Sequence, residues 1–321
     1  MRAVVGKHSE VVKALIDGAA DVRARSNGGF TALLFASQQG DITSARILLA
    51  AEADINEATP KNGTALVVAA ASGREEFAIF LLENGAKADA ADVYGVTAVH
   101  YAIPRGIAGI DSVSIIFRPF HELPPNMPKL LKALLAHGAN PNAQIAKDFL
   151  PYSRSPYALQ TSLVGVTPFL LAAAAADVEL MRTLLDAGAD PKIKAKDGAT
   201  ALMMAAGVGR IDERENEQEE ANALEAAKLA LMLGNDISAA NARGRTALHG
   251  AAWTGADRLI PFLVEKGANL NAKDRGGYTP LALAAGLAPR GGDSASNVRE
   301  STMALLLKLG AQPLSPSRTV R

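Results

Sequence analysis

Apolar positions along this chain recur as one short phrase in which alanine alternates with larger aliphatic residues. TALLFAS begins at residue 31, TALVVAA at 64, TAVHYAI at 97, TPFLLAA at 167, TALMMAA at 200, TALHGAA at 246 and TPLALAA at 279. Their threonines lie 33, 33, 70, 33, 46 and 33 residues apart. A second phrase (EADIN at 52, GAKAD at 85, GADPK at 188, GANLN at 267) places its alanine 22 residues after the threonine. Repetition at a fixed period of this length marks stacked supersecondary units. The longer gaps resolve into the same period with insertions at about 104–124, 144–163, 211–223 and 287–297.

Each phrase predicts an element. A threonine before an apolar run can cap the free N–H groups of a helix, and the alanine or proline after it suits the first turn. The Ala-Ala pair lets neighbouring helices approach closely. In a second helix, Phe80, Leu81 and Leu82, or Leu184 and Leu185, are expected to face a shared core. Gly85, Gly188 and Gly267 are expected to end those helices in positive φ. A unit of this kind buries its apolar face only against its neighbours, so residues 1–321 are expected to form one quasi-linear array.

The pattern resembles the ankyrin repeat, and the resemblance covers nearly all of residues 3–312. Repeat six carries the family phrase most fully, in Gly244, Thr246, Ala247, Leu248, His249, Ala251, Ala252, Gly255 and Gly267-Ala268-Asn269. Five of the seven threonine phrases have alanine where the family usually has proline. The resemblance implies an all-α solenoid of helix-turn-helix-hairpin units stacked into a curved array. Residues 1–25 match only the latter part of a repeat, so one partial and seven full repeats are expected, from a chain trimmed out of a longer protein.

Composition removes several classes of function. Lys plus Arg and Asp plus Glu each number 33, for a net charge of zero. Binders of nucleic acid or anionic membranes need a positive surplus, so neither partner is expected. The chain has no cysteine, which excludes disulfides, thiolate metal sites and cysteine nucleophiles, and suits cytoplasm and periplasm alike. No run of 18 apolar residues is present to span a bilayer, and the opening MRAVVGKHSEVVKAL lacks the features of a signal peptide. A soluble protein is expected, cytoplasmic or exported with its leader missing; alanine-rich helices and short connections suggest a bacterial source.

Catalytic constellations are missing from the sequence. No GxSxG elbow, GxxxxGK phosphate loop or HExxH metal motif occurs. His100 and His249 fall in the slot where the family's histidine bonds loop backbone. Asn62-Gly63-Thr64 has the form of a glycosylation sequon but reads as a tight turn. Gly207-Val208-Gly209 reads as a helix end. The acidic run from Asp212 to Glu220 lacks the spacing of a calcium loop and reads as the charged start of a helix. Within the two longest insertions only Asp111, His121, Glu122 and Asp148 could serve acid–base chemistry. No catalytic residue, metal, cofactor or small-molecule substrate is expected.

The resemblance instead implies a partner protein met on the concave side, by hairpin tips and the open face of each first helix. By position this selects Phe30, Phe35, Gln38 and Gln39, then Tyr94, Val96 and Tyr101, then Lys196 and Met204. Repeats six and seven offer Arg243, Arg245, Trp253, Arg275 and Tyr278. Trp253, two residues before the Gly255 turn, is expected to be exposed. Aromatic and arginine anchors are enriched in binding hot spots, and these arginines predict an acidic or mixed-charge counter-surface. The insertions add Phe149, Tyr152 and Tyr157, facing Phe117 and Phe120 in an ordered apolar satellite. The function expected is a non-enzymatic interaction scaffold. The alternative is a regulatory or substrate-docking region of a larger, enzymatic protein.

Overall fold

The computed structural model describes residues 1–104, 125–147, 162–208, 217–287 and 298–314. Phe117, Phe120, Phe149, Tyr152 and Tyr157 lie outside the described residues, as do most of the insertions that carry them. The described residues fall into two units, 1–104 with 125–146, and 147–314.

The first unit holds a helical pair for each of the first repeats. Arg2–Val5 and Ser9–Asp17 form the partial repeat. Ala32–Gln39 with Ile42–Ala50, Ala65–Ala71 with Glu75–Glu83, and Ala98–Tyr101 with Pro128–Ala136 form repeats one to three. The second unit repeats the plan in Pro168–Ala174 with Val178–Asp186, Ala201–Ala205 with Glu217–Met232, Ala247–Thr254 with Leu259–Glu265, and Pro280–Ala284 with Glu300–Lys308. Strand is confined among the described residues to one antiparallel pair, Ala58–Thr59 with Gly63–Thr64, and a bridge from Ala91 to Thr97. Asn62-Gly63 therefore sits at a hairpin turn, with Gly63 at φ +72°.

The threonines cap in three ways. Thr167, Thr200 and Thr279 accept the N–H of the third helical residue at 3.2–3.3 Å. Thr97 and Thr246 join His100 and His249 in reciprocal capping boxes. Thr31 and Thr64 make no side-chain cap bond, contrary to the sequence expectation. Gly85, Gly188 and Gly267 take φ of +92°, +89° and +94° as expected, a conformation that costs a side-chain-bearing residue steric strain.

The core is columnar. One leucine position of the second helix is buried in six of the seven full repeats, as Leu48, Leu81 and Leu134 in the first unit and Leu184, Leu263 and Leu306 in the second; Ala230, also buried, fills it in repeat five. Burying each such side chain contributes about 1.5–3 kcal/mol. The equivalent Leu15 is 49% exposed. Leu185 turns half outward instead of facing the core with Leu184. The described part of the insertion near 211–223, residues 217–223, belongs to a 16-residue helix, Glu217–Met232. Glu220 Oε2 accepts the Arg258 backbone N–H at 3.0 Å, and Glu217 Oε2 meets the Arg258 guanidinium at 2.8 Å. The acidic start of that helix thus braces the next repeat.

Candidate functional site

The hairpin tips are built by a polar side chain five residues before the threonine in six of the seven repeats; in repeat five that position is Ala195, and Asp197 accepts the Ala199 N–H instead. Asp92 Oδ1 accepts the N–H groups of Tyr94 and Val96 at 2.9 and 3.0 Å. Asn241 Oδ1 does the same for Arg243 and Arg245, and Asp274 Oδ1 for Gly276 and Tyr278. Short side chains of this type replace a backbone partner in tight turns. Each turn is closed by its own backbone, as in Asp274 N–H to Tyr278 O at 2.9 Å. The recurring Ser26, Asp92, Asn241 and Asp274 were the available sequence signal for this geometry.

Neighbouring tips are also tied together. In the first unit Val93 N–H donates to Lys61 O at 3.2 Å and Ala146 N–H to Tyr94 O at 2.8 Å. In the second, Lys196 N–H donates to Val164 O, Ala242 N–H to Asp197 O, and Arg275 N–H to Arg243 O, at 2.5–2.8 Å. Every one of these bonds joins a tip to the tip of the preceding repeat. Side chains on the tips therefore stand on a backbone with little freedom to rearrange.

The structure divides the expected contact residues. Arg243, Arg275, Lys196 and Gln38 are exposed, and Tyr94, Tyr278, Phe30, Phe35 and Gln39 are half-buried. The Phe30 and Phe35 rings pack at 5.3 Å between centroids. Trp253 is only 6% exposed and packs with Leu283 and Tyr278, which overturns its expected exposure. Tyr101, at 3%, is buried too, and its hydroxyl donates to Asp92 Oδ2 at 2.7 Å. Arg245 is buried and its Nε donates to Asp274 Oδ2 at 3.3 Å. Val96 and Met204 are fully buried. These five side chains line the seams between units instead of offering themselves to a partner.

Burial sets the electrostatics of the tips. It raises the Asp92 carboxyl above the usual carboxylate range, against the Tyr101 hydroxyl and backbone bonds that favour its charge. It pushes the Tyr101 phenol well up, helped by the Asp92 charge. It lowers the Arg245 guanidinium, which Asp274 partly restores, and it raises the Asp197 carboxyl. Burial also lowers the His249 imidazole. The Thr246 N–H donates to Nδ1 at 3.2 Å, so Nε2 carries the proton given to Tyr278 O at 3.1 Å. His100 joins Thr97 to Ala143 O in the same manner. Both imidazoles bond loop backbone, as expected. With both nitrogens committed, neither is poised for proton transfer.

Among the described residues, no cluster of three or more His, Asp or Glu could hold a metal ion. No helix among them is long and apolar enough to cross a membrane. What the geometry offers within each unit is a braced row of tips with polar and aromatic side chains on it.

Family models place this architecture. A model described as "Ankyrin repeats (3 copies)" matches residues 1–59 and 219–314, and an ankyrin-repeat model matches residues 164–196. The chain belongs to the ankyrin-repeat family, and its fold is the all-α ankyrin solenoid. It is 28% identical over 273 residues to mouse "Ankyrin repeat and SOCS box protein 16", covering 80% of this chain and 54% of that protein. It is 26% identical over 315 residues to "E3 ubiquitin-protein ligase KEG" of Arabidopsis thaliana, covering 94% of this chain and 18% of the relative. The chain thus spans about half the length of one relative and under a fifth of the other. The crystal structure of the human ASB11 ankyrin repeat domain superposes with a TM-score of 0.56 at 22% identity, over 90% of this chain and all of that one. Ankyrin repeats are protein-interaction modules, and a protein-binding role follows from membership.

Proposed function

We propose that the chain is a non-enzymatic scaffold that binds another protein along its hairpin tips and the adjoining face of its first helices, the concave side of the family's fold. The observation that carries the reading is the tip-to-tip backbone ladder, because it presents Arg243, Arg275 and Tyr278 on a backbone that is already ordered before binding. Tyr94, with Phe30 and Phe35, supplies half-buried aromatic surface in the first unit. The burial of Trp253, Tyr101 and Arg245 makes them supports of this surface. The insertion at 144–163, with Phe149, Tyr152 and Tyr157, is a second contact for the same partner.

A second reading draws support from the relatives. Both are longer than this chain, one is named for a SOCS box and the other as an E3 ubiquitin-protein ligase. In that reading the repeats dock a substrate or regulator for an activity elsewhere in a larger protein.

A photo-crosslinking amino acid placed at Arg243, Arg275 or Tyr94 tests the proposal, with Met232, 78% exposed on a second helix, as the comparison site. Crosslinks to another protein from the tip positions and not from Met232 are expected. Crosslinks from Met232 alone would place binding on the opposite side. Replacing 148–161 with an Asn-Gly turn, which keeps the Ala146–Tyr94 bond and the buried Ile145 and Leu163, should reduce the crosslinked yield while keeping the helical circular-dichroism signal.

A further inference from the structure

We infer that the tip row of repeats five to seven receives an extended acidic segment of a partner protein, an inference that rests on the protein-binding reading above. The chain is neutral as a whole. Its hairpin tips are not. Residues 194–199, 240–245 and 273–278 together carry a net charge of four positive, whereas the tips of repeats one to three (25–30, 58–63, 91–96) carry a net charge of one. Lys194, Lys196, Arg243, Lys273 and Arg275 are all exposed.

The carboxylates on the same tips face inward. Asp274 is buried, with Oδ1 taken by two backbone N–H groups and Oδ2 by the Arg245 guanidinium. Asp197 is half-buried, accepts the Ala199 N–H at 3.0 Å, and feels the charge of Arg243. Anions hold the turns; cations project from them. Because Ala242 bonds Asp197 and Arg275 bonds Arg243 through backbone, the cations of three repeats are held in one register. A partner running from tip to tip would meet positive charge at each step, with the half-buried ring of Tyr278 beside it. Such complementarity acts mainly on encounter rate and on discrimination between partners.

An acidic peptide suits this row better than nucleic acid. A phosphate-backbone binder carries its surplus over a whole domain. Here the sequence pI is about 7.0 and the net charge of the whole chain is zero.

Fluorescence anisotropy of the full chain with a labelled poly-glutamate peptide tests the inference. The peptide should bind, and added salt should weaken it. Reversal of three exposed tip cations, Lys196→Glu, Arg243→Glu and Arg275→Glu, should weaken binding by at least about tenfold. The same charge change placed elsewhere, Lys13→Glu, Lys266→Glu and Lys308→Glu, should weaken it far less. If the reversed protein loses its helical signal, Lys194→Gln with Lys196→Gln and Lys273→Gln leaves every backbone bond in place and should still reduce affinity. No binding at low salt, equal losses in the two reversed variants, or tighter binding of a polythymidine oligonucleotide would overturn the assignment. Crosslinks from Tyr94 that survive the reversal would sink the acidic partner alone and leave the protein-binding reading standing.

Discussion

Arg299 Nε donates to the backbone carbonyl of Trp253 at 2.6 Å, joining the second helix of repeat seven to the end of the first helix of repeat six. Arg74 makes the equivalent bond to Gln38 O at 3.0 Å, between repeats two and one. Both arginines occupy the N-cap of a second helix, and both lie against a left-handed glycine, Gly255 and Gly40. A Cβ at either glycine would meet the arginine Cδ at 3.2 and 3.1 Å. The arginine thus satisfies a helix-terminal carbonyl.

Arg299→Met keeps the aliphatic stem and removes the donor. Arg299 is buried, so the variant should lose about 1.5–3 kcal/mol, the range for a hydrogen bond involving a charged group. Arg74 is half-buried, and Arg74→Met should cost about 0.5–1.5 kcal/mol, as for a typical partly hydrated bond. Urea titrations of the two variants check the order. Equal costs would show that burial does not set the strength of this clamp.

Trp253→Ala should destabilise strongly, by about 3–5 kcal/mol, because it empties the contact with Leu283 and Tyr278. As the sole tryptophan of the chain, it also reports on repeats six and seven directly. Its emission should be blue-shifted in the folded protein and move red in the same urea range as the helical signal. A variant of wild-type stability would return Trp253 to the surface.

The repeat period, the helix pairs and the turn glycines were legible in the sequence, since each is a local pattern with a local cause. Which side of a first helix stays open was not. Tyr101, Met204 and Leu283 share one position, four residues after the threonine, and Val96 and Arg245 share the one just before it. All five are buried. Counting along a repeat cannot show what a neighbouring repeat brings against these columns, as Asp274 does for Arg245 from the repeat after it and Trp253 for Leu283 from the repeat before. The tip cations were legible singly. Their common register depends on backbone bonds between repeats, which no residue type announces.

Arg245 and Asp274 make a buried ion pair at a position filled by valine in two other repeats, Val96 and Val166. Asp274→Ala strips the guanidinium of its partner and two turn N–H groups of theirs, and should cost about 3–5 kcal/mol. Arg245→Val should cost less, since Asp274 keeps both backbone bonds. The double change Arg245→Val with Asp274→Asn should be nearly neutral, because Asn241 already holds the equivalent turn in repeat six. A double-mutant cycle read by thermal melts measures the coupling. Additive losses would show that the pair contributes nothing as a pair.

Acid should loosen the junction of repeats six and seven first. Burial lowers the His249 pKa from its ordinary 6.5, and the Arg245 charge adds to that, against the Tyr278 carbonyl and Asp274. The unfolded chain then binds a proton that the folded chain resists, so stability present above about pH 6.5 falls as pH drops through that value. Protonation also adds a hydrogen to Nδ1, where the Thr246 N–H already donates. Asp92 acts in the opposite sense: its raised pKa makes the folded state the better proton acceptor, so acidification above pH 3.8 favours the first unit. Global melts would mix the two signs. Hydrogen exchange resolves them, with the Thr246 and Tyr278 amides expected to lose protection between pH 7 and 5 faster than the Tyr94 and Val96 amides. His249→Leu should lower protection at pH 7 and flatten its pH dependence. A wild-type profile equally steep at both tips would show that His249 is not the group responsible.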